Sequence, residues 1–380
     1  MSDDAFEAAY GRPAELAWHA PGRVNIIGEH TDYNDGFALP AALPLGVTAQ
    51  VAARDDGVIR ASSVQDDDAV TVPIVDLAPG SVQGWAGYVV GVIWAFREAG
   101  HHMPGLDIVV DGSVPIGSGL SSSAALECAV AGAVDDLFGL GSTPADLITV
   151  ARRAENDYVG VPTGALDQSA SVLCREAEAL FIDFRSMDTR RVPLDLDGAG
   201  LRLLVIDTQA RHQLADGEYA KRRAECARAA ELLGVPMLRD IDDDGLAGAL
   251  ERLTDPVLRR RARHIVTENA RTLQTVRVLE GQGDPRAIGA LLLASHVSLR
   301  DDFEVSCREL DLAVSTAMDT GAHGARMTGG GFGGSAIALV DDTDTDAVTD
   351  AVQGAFAEAE LTAPVIFAMQ PARGAHRCDE

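Results

Sequence analysis

A run of glycines and serines between an apolar strand and an apolar helix constrains this chain most. The run is PIGSGLSSSA, at positions 115–124. Upstream, the β-branched stretch 106–110 and the Asp-Gly that follows it predict a strand ending in a turn. Downstream, small apolar residues predict a buried helix. The run therefore lies at a helix N-terminus, where glycine lets the backbone turn sharply and approach a ligand.

The start of a helix presents N–H groups without intrahelical partners and the positive end of the helix dipole, which together favour anions. Ser121, Ser122 and Ser123 add hydroxyls at the same place. A serine-capped helix after a glycine turn is the simpler interpretation. Three consecutive serines beside Gly117 and Gly119 favour a loop that holds phosphate.

The familiar phosphate motifs do not fit this loop. A Walker loop needs a lysine beside its second glycine, but Lys221 is the only lysine in the chain. The Rossmann pattern needs a third glycine three residues after Gly119, where Ser122 stands. A nucleotide bound here must have its phosphates held by backbone amides, hydroxyls and Mg²⁺.

Composition limits the class of protein and its partners. The chain has 380 residues, of which 47% are hydrophobic, so it can form two domains with a large core. A formal net charge of −27 disfavours nucleic acid and anionic membranes as partners. Five cysteines without C-x-x-C spacing predict reduced thiols. An acidic start and the lack of an apolar run of ~20 residues complete the prediction of a cytoplasmic protein.

A second polar cluster follows an apolar stretch near the start of the chain. We expect a short strand around Val24–Ile27, and then Glu29, His30 and Asp32 within four positions. Such a cluster is typical of a sugar or metal site on a loop, although a plain polar loop is the alternative. Zinc is disfavoured because a second nearby histidine is lacking.

Three stretches resemble one enzyme family. Residues 22–36, GRVNIIGEHTDYNDG, resemble the galactokinase signature. Residues 115–124 resemble the phosphate motif of the wider family of galacto-, homoserine, mevalonate and phosphomevalonate kinases, and residues 327–335, MTGGGFGGS, resemble its third motif. The resemblance implies an α+β fold of two domains with mixed and antiparallel sheets and the active site in the cleft between them. We expect residues 1–199 to form one domain and residues 200–380 the other.

The resemblance also implies a reaction. The γ-phosphoryl group of ATP would be transferred to the anomeric (C1) hydroxyl of D-galactose, giving galactose 1-phosphate and ADP, with Mg²⁺ as cofactor. The partners would then be small molecules, and we expect a monomer.

A basic segment, Lys221–Arg223, lies at a predicted helix start. We interpret it as a solvated helix face.

Residue roles follow from the same resemblance. Asp167 would face the reacting hydroxyl and accept its proton, or only orient it, and Arg23 would stabilise the charges there. An acid at a helix start can also be a plain cap, and a tryptophan such as Trp85 can belong to the core. The remaining residues are expected to bind sugar (Glu29, His30, Thr31, Asp32, Gly164, Tyr219), nucleotide (Trp85, Gly117, Ser118, Gly119, Leu120, Ser121, Ser122, Ser123) and Mg²⁺ (Ser123, Glu155).

Two alternatives stay open on the sequence. One is a kinase for a related sugar such as N-acetylgalactosamine, which bulk near positions 29–34 would decide. The other is a regulator that binds galactose and ATP without turnover. Such regulators can lose residues of the phosphate loop, whereas Ser123 and Asp167 are both present here.

Overall fold

The structure is a computed structural model, which describes residues 4–210, 215–281 and 283–378. Residues 211–214, within the segment that leads to Tyr219, lie outside the described residues.

A six-stranded mixed sheet forms the centre of the first half of the chain. Its order is β13-β1-β3-β6-β4-β5, and every neighbouring pair is antiparallel except β4 and β6. The inner strands of this sheet are buried along most of their length, as expected for strands covered on both faces, whereas the edge strand 66–73 is mostly exposed. The strands are β1 (Leu16–Asn25), β3 (Pro40–Ala53), β4 (Val58–Ser63), β5 (Asp66–Pro73), β6 (Leu106–Gly112) and β13 (His376–Arg377).

The first strand is longer than predicted. We expected a short strand at Val24–Ile27, but β1 runs from Leu16 to Asn25. Its pairing with β3 shifts register between Pro21 and Arg23. Proline and glycine at this irregularity interrupt the strand pattern, so the sequence alone hides the continuity of the strand.

Helices cover this sheet, and a smaller sheet of order β2-β7-β8 stands beside it. Helix α3 packs on β1 and β3, and its first turn follows the glycine- and serine-rich loop. The elements are α1 (Asp4–Tyr10), α2 (Trp85–Glu98), α3 (Ser122–Phe138), α4 (Pro144–Arg153), α5 (Leu166–Leu173), β2 (Phe37–Ala38), β7 (Glu178–Asp183) and β8 (Asp188–Pro193).

The second half of the chain builds an antiparallel sheet of order β10-β11-β9-β12 with helices packed on it. These helices and strands enclose a second apolar cluster. The elements are β9 (Leu201–Asp207), α6 (Ala215–Leu233), α7 (Asp243–Arg252), α8 (Pro256–Glu280), α9 (Gly289–Ser298), α10 (Arg308–Asp319), β10 (Gly324–Thr328), β11 (Ser335–Asp341), α11 (Thr345–Glu358) and β12 (Val365–Met369).

The α+β, two-domain prediction with mixed and antiparallel sheets is confirmed. The boundary near residue 200 stays a prediction: β9 begins at Leu201, but β13 returns to the first sheet and pairs with β1. In the part of the chain that the structure describes, every helix is too short or too polar to cross a membrane.

One surface prediction is wrong. Arg222 is buried rather than solvated, although Lys221 and Arg223 beside it are exposed. Its guanidinium donates to the backbone oxygens of Phe303, at 2.7 Å, and Glu304, at 2.8 Å. Because these partners lie about eighty residues away in sequence, the local charge pattern gave no sign of them.

Candidate active site

The two glycine-rich loops meet in the cleft between the domains. The hydroxyl of Ser335 donates to the backbone oxygen of Ser118 at 2.8 Å. A Cβ atom added to Gly329 would lie 2.9 Å from the backbone oxygen of Gly119. Since Gly329 also has a φ of +85°, both the space and the backbone conformation require glycine there.

Ser121 stands just before helix α3 but does not cap it. Its backbone is left-handed, with φ 60° and ψ 46°, and its side chain makes no capping bond. The hydroxyl donates instead to Oδ2 of Asp167 at 2.6 Å. The simpler interpretation of a serine-capped helix is therefore wrong at this position.

Asp167 lies in the first turn of α5, and side chains hold both of its carboxylate oxygens. Oδ1 is 3.0 Å from Nε of Arg23 and 2.9 Å from its Nη2. Nη1 of Arg23 donates to the backbone oxygen of Gly119 at 2.7 Å. The position before this helix belongs to Ala165, so Asp167 is not a plain helix cap. Arg23 therefore joins the phosphate loop to Asp167.

Glu155 is buried in a turn of π-helix, Ala154–Val159, which continues α4. Its Oε1 accepts from the hydroxyl of Ser123 at 3.0 Å. Its Oε2 accepts from Thr163 and from the Gln168 amide, each at 2.7 Å. Burial raises the pKa of Glu155, and the negative charge of Asp167 raises it further, while the bond from Thr163 lowers it.

Ser123 and Glu155 together present hard oxygen atoms beside the phosphate loop, which suits Mg²⁺. Among the described residues, groups of three or more metal-binding His, Cys, Asp or Glu side chains are absent.

A cavity of about 150 Å³ lies between Asp167 and the polar cluster of the N-terminal region. Five of the six residues predicted to bind sugar line this cavity. Thr163 was not predicted, although its neighbour Gly164 was. The lining residues are Arg23, Glu29, His30, Asp32, Thr163, Gly164, Leu166, Asp167, Tyr219, Gly329 and Gly330.

Thr31 is the predicted sugar residue that does not line the cavity. Its side chain is fully buried. Its hydroxyl lies 2.9 Å from the backbone oxygen of Gly28 and 2.7 Å from that of Phe37. Thr31 therefore fixes the shape of the loop that carries its neighbours.

Burial and charge tune two groups on the cavity wall. Burial, together with the negative charges of Asp167 and Glu29, raises the pKa of Asp32 to about 6. Burial lowers the pKa of His30 to about 3, with the nearby His264 adding to the effect. Neutral His30 pairs through Nδ1 with the hydroxyl of Tyr33 at 2.9 Å. The buried Nε2 lacks a hydrogen bond of full geometry in the described part of the chain, and the nearby backbone of Gly330 opposes the effect of burial on the pKa of the ring.

Residues from the second half of the chain hold in place the loop at 25–32, which carries most of the residues predicted to bind sugar. Oε1 of Glu29 accepts from the backbone N–H of Gly329 at 2.7 Å. The buried Arg326 donates to the backbone oxygen of Asn25 at 2.8 Å. The buried Glu268 accepts from the N–H of Gly28 at 3.0 Å. We did not predict Arg326 or Glu268, although an arginine inside the apolar strand 324–328 was a visible signal.

Trp85 is the first residue of α2 and is partly buried, packed against the apolar cluster that α2 and α3 form with the six-stranded sheet. It does not line the cavity, and its role beside adenine stays a prediction. The other residues predicted to bind nucleotide are contiguous, at 117–123, on the loop that Arg23 joins to Asp167.

The sequence matches family models and known proteins along most of its length. The model for the N-terminal domain of GHMP kinases matches residues 87–175, the galactose-binding signature of galactokinases matches residues 4–53, and the model for the C-terminal domain of GHMP kinases matches residues 274–358. The galactokinase of Streptomyces coelicolor is 53% identical over 98% of this chain and 97% of its own length. That of Mycobacterium tuberculosis is 48% identical over 96% of this chain and 99% of its own.

Solved structures agree with these relatives. The galactokinase of Lactococcus lactis, solved with galactose, superposes with a TM-score of 0.93 at 33% identity and covers 98% of both chains. The mevalonate kinase of Methanococcus jannaschii, at a TM-score of 0.69 and 15% identity over 95% of this chain and 100% of its own, shares the fold. From the matched signature, the full-length relatives and the superposition, this chain belongs to the galactokinases of the GHMP kinase superfamily.

Proposed function

We propose that Asp167 accepts the proton of the anomeric hydroxyl of galactose while the γ-phosphoryl group of ATP is transferred to that oxygen. The products are galactose 1-phosphate and ADP. Phosphoryl transfer depends mainly on positioning and on neutralising charge. The cavity and the phosphate loop meet at Asp167, which suits a reaction between a sugar and a nucleotide.

The observation that carries the proposal is the set of bonds around Asp167. Arg23 donates twice to Oδ1, whereas Oδ2 accepts only the hydroxyl of Ser121 among the bonds described. A carboxylate oxygen can accept two hydrogen bonds. Oδ2 therefore keeps a free acceptor position, and the side chain is 26% exposed, on the cavity wall.

Arg23 acts on the charges of the reaction. Its side chain is 8% exposed, so its charge is poorly screened by water. It neutralises Asp167 in the resting enzyme and stabilises the negative charge that moves onto the transferring group. Its bond to the backbone of Gly119 keeps it beside the phosphate loop.

Mg²⁺ would be held by Ser123 and Glu155, and when bound it neutralises charge on the phosphates of ATP. The hydroxyl oxygen of Ser123 and Oε1 of Glu155, the two atoms that would coordinate the ion, lie 3.0 Å apart. The backbone amides and hydroxyls of residues 117–123 would hold the phosphates themselves.

Galactose would lie in the cavity, with its remaining hydroxyls bonded to the side chains of Glu29, His30, Asp32 and Tyr219. The wall offers carboxylates that accept hydrogen bonds and a neutral imidazole. A site built to pair every hydroxyl discriminates strongly against sugars that leave one of its polar groups unpaired.

The substrate and the metal dependence of the proposed reaction are tested by ADP release from the purified protein with a panel of sugars, each with Mg²⁺ and with EDTA. We expect Mg²⁺-dependent turnover with galactose and much weaker turnover with glucose and N-acetylgalactosamine. Preferred turnover of N-acetylgalactosamine, or binding of galactose and ATP without ADP release, would contradict the proposal. The monomeric state, which sedimentation can measure, and the cytoplasmic location stay predictions.

A further inference from the structure

We propose that Gln168 and Glu127 form a positioning pair that sets the orientation of Glu155 for metal binding. Both side chains are fully buried, and neither lines the sugar cavity. The inference rests on the proposed role of Glu155 and adds two residues behind it.

One amide nitrogen bridges two carboxyl groups. Nε2 of Gln168 lies 2.7 Å from Oε2 of Glu155 and 3.2 Å from Oε2 of Glu127. An amide NH₂ carries two hydrogens, so it can donate one to each carboxyl. Because both partners present acceptor oxygens, the amide is held with its nitrogen toward them. Rotated by half a turn, its oxygen would face Glu155 and repel it.

Gln168 acts on the oxygen of Glu155 that faces away from Ser123. Oε1 of Glu155 lies beside the hydroxyl of Ser123, the second expected metal ligand. Oε2 accepts from Thr163 and Gln168. With Oε2 occupied in this way, Oε1 is left to the metal. Partners of this kind orient a ligand and typically matter 10–100-fold for metal affinity.

Within the described residues, the hydrogen bond found for the buried carboxyl group of Glu127 comes from Gln168. Glu127 lies one helical turn after Ser123 on α3, and its Oε1 has no hydrogen-bond partner in the described part of the chain. Burying such a group is costly. Burial also raises the pKa of Glu127 well above its usual range, with the charge of Glu155 adding to the effect.

The test measures binding of Mn²⁺, as a probe for Mg²⁺, to the protein with ADP by electron paramagnetic resonance. We expect Gln168→Leu and Glu127→Ala to weaken Mn²⁺ binding about ten-fold or more. Glu127→Gln keeps an acceptor oxygen and should stay within about two-fold of the parent. Val130→Ala, a truncation at another buried position of α3, is the control for general loosening of the helix and should change little.

Three results would overturn the proposal. The first is that Gln168→Leu binds Mn²⁺ as tightly as Val130→Ala does. The second is that Glu127→Gln loses as much Mn²⁺ affinity as Gln168→Leu. The third is that Val130→Ala shows the same fall in thermal stability and the same loss of Mn²⁺ affinity as Gln168→Leu. If Glu127→Ala does not fold, Gln168→Leu and Glu127→Gln still decide. Failure of the parent itself to bind Mn²⁺ with ADP would instead overturn the proposed metal site.

Discussion

The hydroxyl of Ser121 donates a hydrogen bond to Asp167 across 2.6 Å and so connects the phosphate loop with the sugar cavity. Ser121 adopts φ 60°, a left-handed conformation that is uncommon outside glycine. The strain at this residue aims its side chain at Asp167 rather than at the start of helix α3. The bond therefore ties the position of the proposed base to the loop that would hold ATP.

Two substitutions of Ser121 separate its hydroxyl from its backbone. Both Ser121→Gly and Ser121→Ala remove the bond to Asp167, so both should lower kcat, by about ten-fold for a lost hydrogen bond to a charged group. Glycine adopts φ 60° freely, whereas alanine does not. We expect the alanine variant to be less stable than the glycine variant by about 1 kcal/mol in urea unfolding. A normal kcat in both variants would show that the bond has no role in catalysis.

The parts of the site that the sequence predicted are those made by short contiguous stretches. The loop 115–124 and the cluster at 29–32 could be interpreted because their residue types and spacing carry the chemistry locally. That these two stretches meet in one cleft was implied by the resemblance alone. The resemblance also implied that the stretch 327–335 lies there, and the bond from Ser335 to Ser118 shows its contact with the loop 115–124.

The parts that the sequence did not predict depend on distant partners. The buried Arg222 looked solvated because the carbonyl groups that it binds belong to residues 303 and 304. Glu127 and Gln168 lie about forty residues apart and meet only through the packing of α3 against α5. Buried polar contacts of this kind leave no periodic signal in one sequence.

We expect the ionised side chain of Asp32 to lower the stability of the fold and to strengthen galactose binding. Its pKa of about 6 lies above the ordinary value of 3.8, so the folded protein binds the extra proton between these values. Stability from this group is therefore present below about pH 4 and is lost as the pH rises through about 6. We expect Asp32→Asn to raise the free energy of unfolding at pH 8, by up to about 3 kcal/mol, but not at pH 4.

The same variant should bind galactose more weakly, because an ionised acceptor on the cavity wall is lost. Urea unfolding at both pH values and calorimetry with galactose measure the two effects. Asp346→Asn, at an exposed carboxylate, is the matched control. Equal gains in stability at pH 4 and pH 8 would show that the charge of Asp32 is not their source.

Gly164→Ala should damage the sugar site more than the fold. An added Cβ would overlap Oδ2 of Asp32, so that carboxylate must move. We expect KM for galactose to rise about ten-fold or more, with a smaller change in KM for ATP, since misplacing one sugar contact costs of the order of 1–3 kcal/mol. Gly248→Ala, on α7 with open space around it, is the control and should leave both constants unchanged. Parallel changes in the two KM values would contradict a local effect.

Removal of Mg²⁺ should abolish turnover. The oxygen atoms of Ser123 and Glu155 suit Mg²⁺, which when bound would neutralise charge on the transferred phosphate. We expect EDTA to stop ADP release and added Mg²⁺ to restore it, and Glu155→Gln to need several-fold more Mg²⁺ for half-maximal rate. Metal analysis should find no stoichiometric zinc. Full activity in EDTA, or tightly bound zinc, would contradict the metal assignment.

Asp167→Asn tests the proposed mechanism most directly. The change keeps the shape of the side chain and most of its hydrogen bonding but removes the proton acceptor that Arg23 and Ser121 hold. Calorimetric binding of galactose and of ATP should stay within a few-fold of the parent. Turnover measured on the same sample should show kcat lowered by roughly two to four decades. A near-normal kcat in a folded Asp167→Asn protein would show that Asp167 is not the base and would contradict the account.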